Sequence, residues 1–260
     1  MSFINKCSLF IKDMYNRAYV SLFSQKAIDC NIYCFWTGDN QMSRARQAAF
    51  KVLQKKSGCN VTLVTPQNLE TFIKPEYPLH EGYKLLSLTH KSDYLRSYFM
   101  YHYGGGYTDI KPYPFNWHYY FIKLSKRDVD FIGARELYQS DVASSSELVR
   151  KNFNKLSSCC YFIFKRHTVF ASEWHKRVNA KMDEVMDKLE LQNGLFHPRA
   201  IIGGIHNQPS DDHSIYPQNY PLRWTELHGD ILHQLQFENI DSHVYDLILP
   251  VYRLSNKKFR

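Results

Sequence analysis

The sequence has no apolar run near the ~20 residues that a membrane span needs. Its apolar opening, MSFINKCSLFIKD, is interrupted by Lys12 and Asp13, too early for a signal-peptide core. The expectation is a soluble chain, at most peripheral to a membrane. There is no CxxC, and the cysteines Cys7, Cys30, Cys34, Cys59, Cys159 and Cys160 show no regular spacing. A reduced, cytoplasmic protein is the simplest reading of that pattern. No zinc-finger, RNA-recognition or basic-zipper pattern occurs and no basic run resembles a nucleic-acid arm, so no nucleic-acid partner is expected. Internal repeats, low-complexity tracts and clear linkers are also missing, which favours one domain over 1–260.

What is present is the composition of a globular chain, with 44% hydrophobic and 22% charged residues over 260 positions. Aromatics are in excess: Tyr 19, Phe 17 and Trp 4. Tyr and Trp suit surfaces that are apolar on one side and hydrogen-bonding on the other. The net charge of +8 favours an anionic partner, and residues 1–60 carry nine Lys/Arg against three Asp/Glu.

Phe3, Cys7, Phe10, Ile11, Met14 and Ala18 fall at helical spacing, so an amphipathic helix is expected over 3–26, within an N-terminal segment 1–28, docked on the body or on a membrane surface. NIYCFWTG reads as a buried strand and turn, QMSRARQAAFKVLQKKS as a helix, and NVTLVT as a second strand closed by Pro66. Strand, helix, strand opens a parallel α/β sheet. A helix is expected from Leu85 to the block Gly104, Gly105 and Gly106, then a short strand in YTDIKPYP. DVDFIGARE and CCYFIFK read as strands, 139–158 as a loop with a short helix, 168–190 as a helix and RWTELHGDILHQL as helix-like.

The chemistry concentrates in HKSDYLRSYFMYHYGGGYTDIK, residues 90–111. Asp93 and Arg96 are three apart and share a helix face directed toward the glycine turn and Asp109. Carboxylates accept hydrogen bonds from vicinal sugar hydroxyls, and guanidinium groups fork onto hydroxyls, phosphates or carboxylates. The glycines are expected to let the backbone approach a ligand. Taken alone, Asp-x-x-Arg before a glycine cap describes an ordinary surface helix pair.

The whole segment, however, resembles nucleotide-sugar glycosyltransferases with a DXD sugar-binding region: glycosyltransferase family 32 and related capsular-polysaccharide synthesis proteins. The resemblance is carried by Ser92-Asp93-Tyr94-Leu95-Arg96 and by Tyr103-Gly104-Gly105-Gly106-Tyr107-Thr108-Asp109-Ile110-Lys111. It implies a GT-A fold, a Rossmann-like α/β domain with a mixed, mainly parallel sheet and its ligand at the carboxyl ends of the strands. By the same resemblance a nucleotide-sugar donor meets Asp93, Arg96, Gly105, Gly106, Tyr107, Asp109 and Lys111, and a glycan or polysaccharide accepts a hexosyl or pentosyl group. Lys111 stands where the family has its second carboxylate. Mn²⁺ or Mg²⁺ is therefore expected on Asp109 with help from elsewhere, His233 being a candidate, or else Lys111 itself meets the diphosphate. Tyr33, Phe35, Trp36 and Thr37 occupy the place of a base-binding strand.

Toward the carboxyl end, in an acceptor-side region 194–260, Pro221-Leu222-Arg223-Trp224-Thr225-Glu226 and Gly229-Asp230-Ile231 resemble a segment of the capsular-type proteins. Trp224 offers a face for a sugar ring, and Asp212, Glu226 and Asp230 join Asp109 as candidate catalytic residues, with Asp211 and His213 beside Asp212 in a polar loop. A binding module that has lost turnover, or a basic protein bound to RNA or a membrane surface through 1–60, are the competing expectations. The oligomeric state is not specified by these residues.

Overall fold

The computed structural model describes residues 29–191 and 220–252, together with Met14. The expected helix over 3–26, with its membrane contact, and the candidate base Asp212 lie outside the described residues. The expected opening is there: β1 (Asn31–Phe35), α1 (Arg44–Lys56) and β2 (Asn60–Val64), with β1 and β2 parallel and Asn31 opposite Asn60. Ser43 caps α1, its hydroxyl accepting the Arg46 N–H, and Lys55 and Lys56 sit in the last turn, where the helix dipole favours cations.

The next helix, α2 (Leu88–His102), starts later than the Leu85 spacing suggests. Glu81–Leu85 closes a 3₁₀ turn instead, and Ser87 accepts the His90 N–H at 3.2 Å, an N-cap that sets the helix start. The strand β3 then runs Gly105–Thr108, so the glycine block begins the strand and Asp109 follows its last residue. Next come α3 (His118–Ser125), β4 (Phe131–Arg135), α4 (Glu147–Lys151), β5 (Ser157–Phe164), α5 (Val169–Leu191), α6 (Gly229–Glu238) and β6 (Tyr245–Leu249).

The sheet order is β2-β1-β3-β5-β4-β6. The β1–β2, β1–β3 and β4–β6 pairs are parallel, while β5 is antiparallel to both β3 and β4. This is the mixed, mainly parallel arrangement expected of a GT-A, Rossmann-like domain. Alternation divides β1 between two cores: Tyr33 and Phe35 face α2, α5 and α6, while Ile32 and Cys34 face α1 and α3. On the first face α5 buries Phe170, Trp174, Val178, Met182, Val185 and Leu189, a stripe at steps of three and four. On the second, Trp117, Tyr113, Phe115 and Tyr161 form an aromatic cluster beneath the sheet. Among the described residues no helix is long and apolar enough to cross a membrane.

Candidate active site

Strand direction brings the chemistry to one edge. The ends of β1 and β3, the start of the inverted β5, and the ends of β4 and β6 all lie on the same side. The amino end of α2 is tied there too, since Thr37 Oγ1 donates to the Leu88 carbonyl at 2.6 Å. Open α/β sheets hold ligands beyond such an edge, because helix amino ends and strand carboxyl ends converge on it.

One turn into α2, Asp93 and Arg96 turn inward. Asp93 is 4% exposed and its carboxylate lies 3.3 Å from an Arg96 nitrogen. Arg96 also reaches Asp109 at 3.6 Å, donates to the Cys159 carbonyl at 3.2 Å, and lies over the Tyr107 ring. Asp109 Oδ1 accepts the Tyr107 hydroxyl at 2.8 Å, and Lys111 Nζ meets Oδ2 at 2.8 Å. Tyr107 and Asp109, two apart, are able to meet because the strand has just ended. The Asp109 amide bonds the Cys160 carbonyl, and Arg46 donates to the Ile110 carbonyl, which fixes the turn carrying Lys111.

The charges set one another. Burial pushes Asp93 up to about 6, with Arg96 pulling down and Asp109 pushing up. Burial works against Asp109, Arg96 and Lys111 as well, but mutual pairing wins: Asp109 is held well below the carboxylate range by Lys111 and Arg96, and both cations are raised. Two carboxylates and two cations thus nearly cancel, with Asp109 and Lys111 the members open to solvent, at 23% and 27% side-chain exposure.

Three further residues join this edge, of which sequence reasoning singled out only Cys160. Glu136, at the end of β4, is buried, and burial followed by Asp141 lifts it to about 8, while Lys111 pulls the other way. Cys160 is half-buried beside Lys111. His228 bonds the same Cys159 carbonyl that Arg96 uses; burial, then Arg96, keeps it neutral, and its Nδ1 is buried without a hydrogen-bond partner. The only sequence signal for Glu136 is its place one residue beyond a strand end.

Several expected site residues have other work. Gly104 and Gly105 have φ of +64° and +86°, and a Cβ on Gly105 would fall 2.7 Å from the Asn31 carbonyl oxygen. A Cβ on Gly106 would meet the Ile32 side chain at 3.1 Å. These glycines let β3 pack against its neighbours, at the strand end remote from Asp109. Tyr33 and Phe35 pack edge-on to Phe99 within the core; Tyr33 also lines a cavity of about 210 Å³ on the opposite edge, with Tyr103, Lys165 and Arg166. Trp36 donates to the Asn40 carbonyl on the other face and remains half-buried at the correct edge, beside Thr37.

The carboxyl-terminal candidates are similarly engaged. Glu226 accepts the Arg223 amide and pairs with the Arg223 side chain; Asp230 accepts Thr225 Oγ1 and the Ser145 amide, tying α6 to the loop before α4. Trp224 packs half-buried against the core. His233 is fully buried at the start of β5, against the Ser157 carbonyl and Cys159 and 3.7 Å from Glu136. This segment is nevertheless close to the site, because His90 on α2 bonds the Tyr220 hydroxyl and the Arg223 carbonyl.

Among the described residues the donor set does not fit a divalent cation. Hard cations take several oxygen ligands, whereas Asp109 shares its carboxylate with two cations, and Asp93 is closed off by Arg96. Among the described residues no three His, Cys, Asp or Glu side chains are grouped to hold a metal.

Residues 6–114 match the family described as glycosyltransferase sugar-binding region containing DXD motif. The match spans the β1–α1–β2–α2–β3 half of the sheet and ends just beyond Lys111, so the Asp93, Arg96 and Asp109 cluster falls inside the matched stretch. No curated protein and no solved structure matches the chain.

Proposed function

We propose that this protein is a nucleotide-sugar-dependent glycosyltransferase, moving a hexosyl or pentosyl group from a UDP- or GDP-sugar to a hydroxyl of a glycan or polysaccharide. The observation that carries this reading is the joining of Asp93, Arg96 and Asp109 into one ion cluster at the carboxyl edge of the sheet, within the matched region. Asp109, the carboxylate open to solvent, accepts hydrogen bonds from donor-sugar hydroxyls, and the buried Asp93–Arg96 pair holds it in place. Lys111, the more exposed cation, turns from Asp109 to the diphosphate and offsets the charge that develops as the bond to the sugar breaks. In the transfer, the bond from the anomeric carbon to the diphosphate is replaced by one to the acceptor oxygen, leaving a nucleoside diphosphate and one proton. No step is assigned to a metal, since the donor set described above does not fit one.

The lysine at 111 favours one second reading: a module that binds the donor without turnover. Incubating the full chain with UDP- and GDP-sugars, in EDTA and in Mn²⁺, separates the two. Slow release of free nucleotide without acceptor, at equal rates in both buffers, is the expected result. Binding without release supports the module, and release only with Mn²⁺ contradicts the assignment of diphosphate charge to Lys111.

A further inference from the structure

On the edge opposite the ion cluster, Cys30 and Cys59 stand just before β1 and β2. The register Asn31 to Asn60 extends one step back through them: the Asn60 amide donates to the Cys30 carbonyl at 3.0 Å, so the cysteines are direct neighbours on parallel chains. Adjacent strands lie about 4.8 Å apart, inside the ~4.4–6.8 Å between α-carbons that a disulfide spans. Both residues point to the same face, packed at the margin of the core formed with α1 and α3, and both are half-buried. The next pair is already clamped, Asn60 Nδ2 donating to Asn31 Oδ1 at 2.8 Å. Cys34, Cys159 and Cys160 sit elsewhere in the sheet, and among these three Cys34 and Cys159 are buried.

The two thiols also interact with each other. The Cys30 thiol donates to the Gly58 carbonyl, and its interaction with Cys59 draws it below its ordinary value, against burial and the Asp29 carboxylate. Burial, then the neighbouring Cys30, pushes Cys59 up. Two thiols in such contact are placed to act in turn as attacking thiolate and resolving thiol.

We propose that Cys30 and Cys59 form a redox-reactive pair that closes into a disulfide between β1 and β2 on meeting a small-molecule disulfide such as oxidised glutathione. The Cys30 thiolate attacks one sulfur of that disulfide and expels the first thiolate, giving a mixed disulfide. Cys59, on losing its proton, attacks the Cys30 sulfur and expels the second. Two protein thiols are oxidised, and one small disulfide is reduced to two thiols. The bond would close a loop of about 30 residues and so restrict the unfolded chain.

The test is to incubate the reduced full-length protein with oxidised glutathione, alkylate the remaining thiols, and map peptides by mass spectrometry. The expected result is one peptide pair joined through Cys30 and Cys59, about 2 Da lighter than the reduced pair. It should be accompanied by a rise in melting temperature of roughly 5 °C or more, both absent in Cys30→Ser and in Cys59→Ser. A stable glutathione adduct on Cys30 with Cys59 still open to alkylation would overturn the proposal, as would a bond from either residue to another cysteine or two unreacted thiols. Because the readout is a covalent bond remote from the ion cluster, its outcome is independent of the sugar-transfer reading.

Discussion

Replacing Asp109 by Asn removes one charge from the ion cluster while nearly preserving the shape of the side chain. Asp109 answers Lys111 at 2.8 Å and Arg96 at 3.6 Å, and accepts the Tyr107 hydroxyl. Without it, Arg96 keeps Asp93 but Lys111 loses its carboxylate partner. Breaking one half of a buried pair costs about 3–5 kcal/mol, and Lys111, at 27% exposure, recovers part of that by turning to water. The expected net loss is about 2–3 kcal/mol, which for a chain of this size lowers the melting temperature by roughly 4–12 °C. The unpaired cation makes most of the damage, so Lys111→Met in the Asp109→Asn background should restore more than half of the lost stability. Thermal melts monitored by circular dichroism at pH 7 measure all three proteins. An Asp109→Asn variant that melts with the wild type, or a double variant no better than the single, would refute the argument that these charges are mutually held.

Gly105→Ala places a Cβ 2.7 Å from the Asn31 carbonyl oxygen at a φ of +86°, so a loss of roughly 2–4 kcal/mol is expected in urea unfolding; a neutral effect would mean the β1–β3 approach is not tight. Acid should destabilise the fold with a definite sign. His90, His102, His175 and His233 titrate near 4 in the fold, chiefly because burial penalises their charge, so the unfolded chain binds their protons first; their contribution is present above about 6.5 and is lost as pH falls toward 4. Asp93, raised to about 6, and Glu136, raised to about 8, act oppositely, since the fold binds their protons first. His228, held well below its ordinary value by burial and then Arg96, adds a fifth histidine, and five protons against two leave stability falling by roughly 3–4 kcal/mol per pH unit near pH 5, with a maximum near neutrality; melts from pH 4.5 to 8.5 that show no such fall would contradict these burials.

Much of the fold is legible because its signals are local. NIYCFWTG and NVTLVT are continuous apolar runs that a doubly covered sheet requires, and α5 announces itself by its stripe from Phe170 to Leu189. The strand β6 carries no such signal because YDLIL is short and mostly half-buried at the sheet edge, and α3 is equally hard to read because it is a short run of eight residues, mostly buried aromatic and aliphatic. In the site, the spacing of Asp93 and Arg96 announces a shared face, and Asp109 lies where a strand ends. Glu136, Cys160 and His228 are not placed by spacing, since each arrives from a different element only when β5 inserts antiparallel between β3 and β4. The glycines are ambiguous for a related reason: positive φ demands glycine equally for a close-packed strand and for a close ligand, and only the neighbouring Asn31 carbonyl decides between them.

Calorimetric titration of UDP- and GDP-sugars into the full chain, beside the Asp93→Asn variant, tests most directly whether the ion cluster holds a sugar nucleotide. The account predicts saturable binding of at least one donor sugar, undiminished by EDTA and weakened at least about tenfold when Asp93 loses the charge that positions Arg96 beside Asp109, an energy of about 1.4 kcal/mol. Heats of dilution alone across the panel, or equal affinity in the variant, would contradict it.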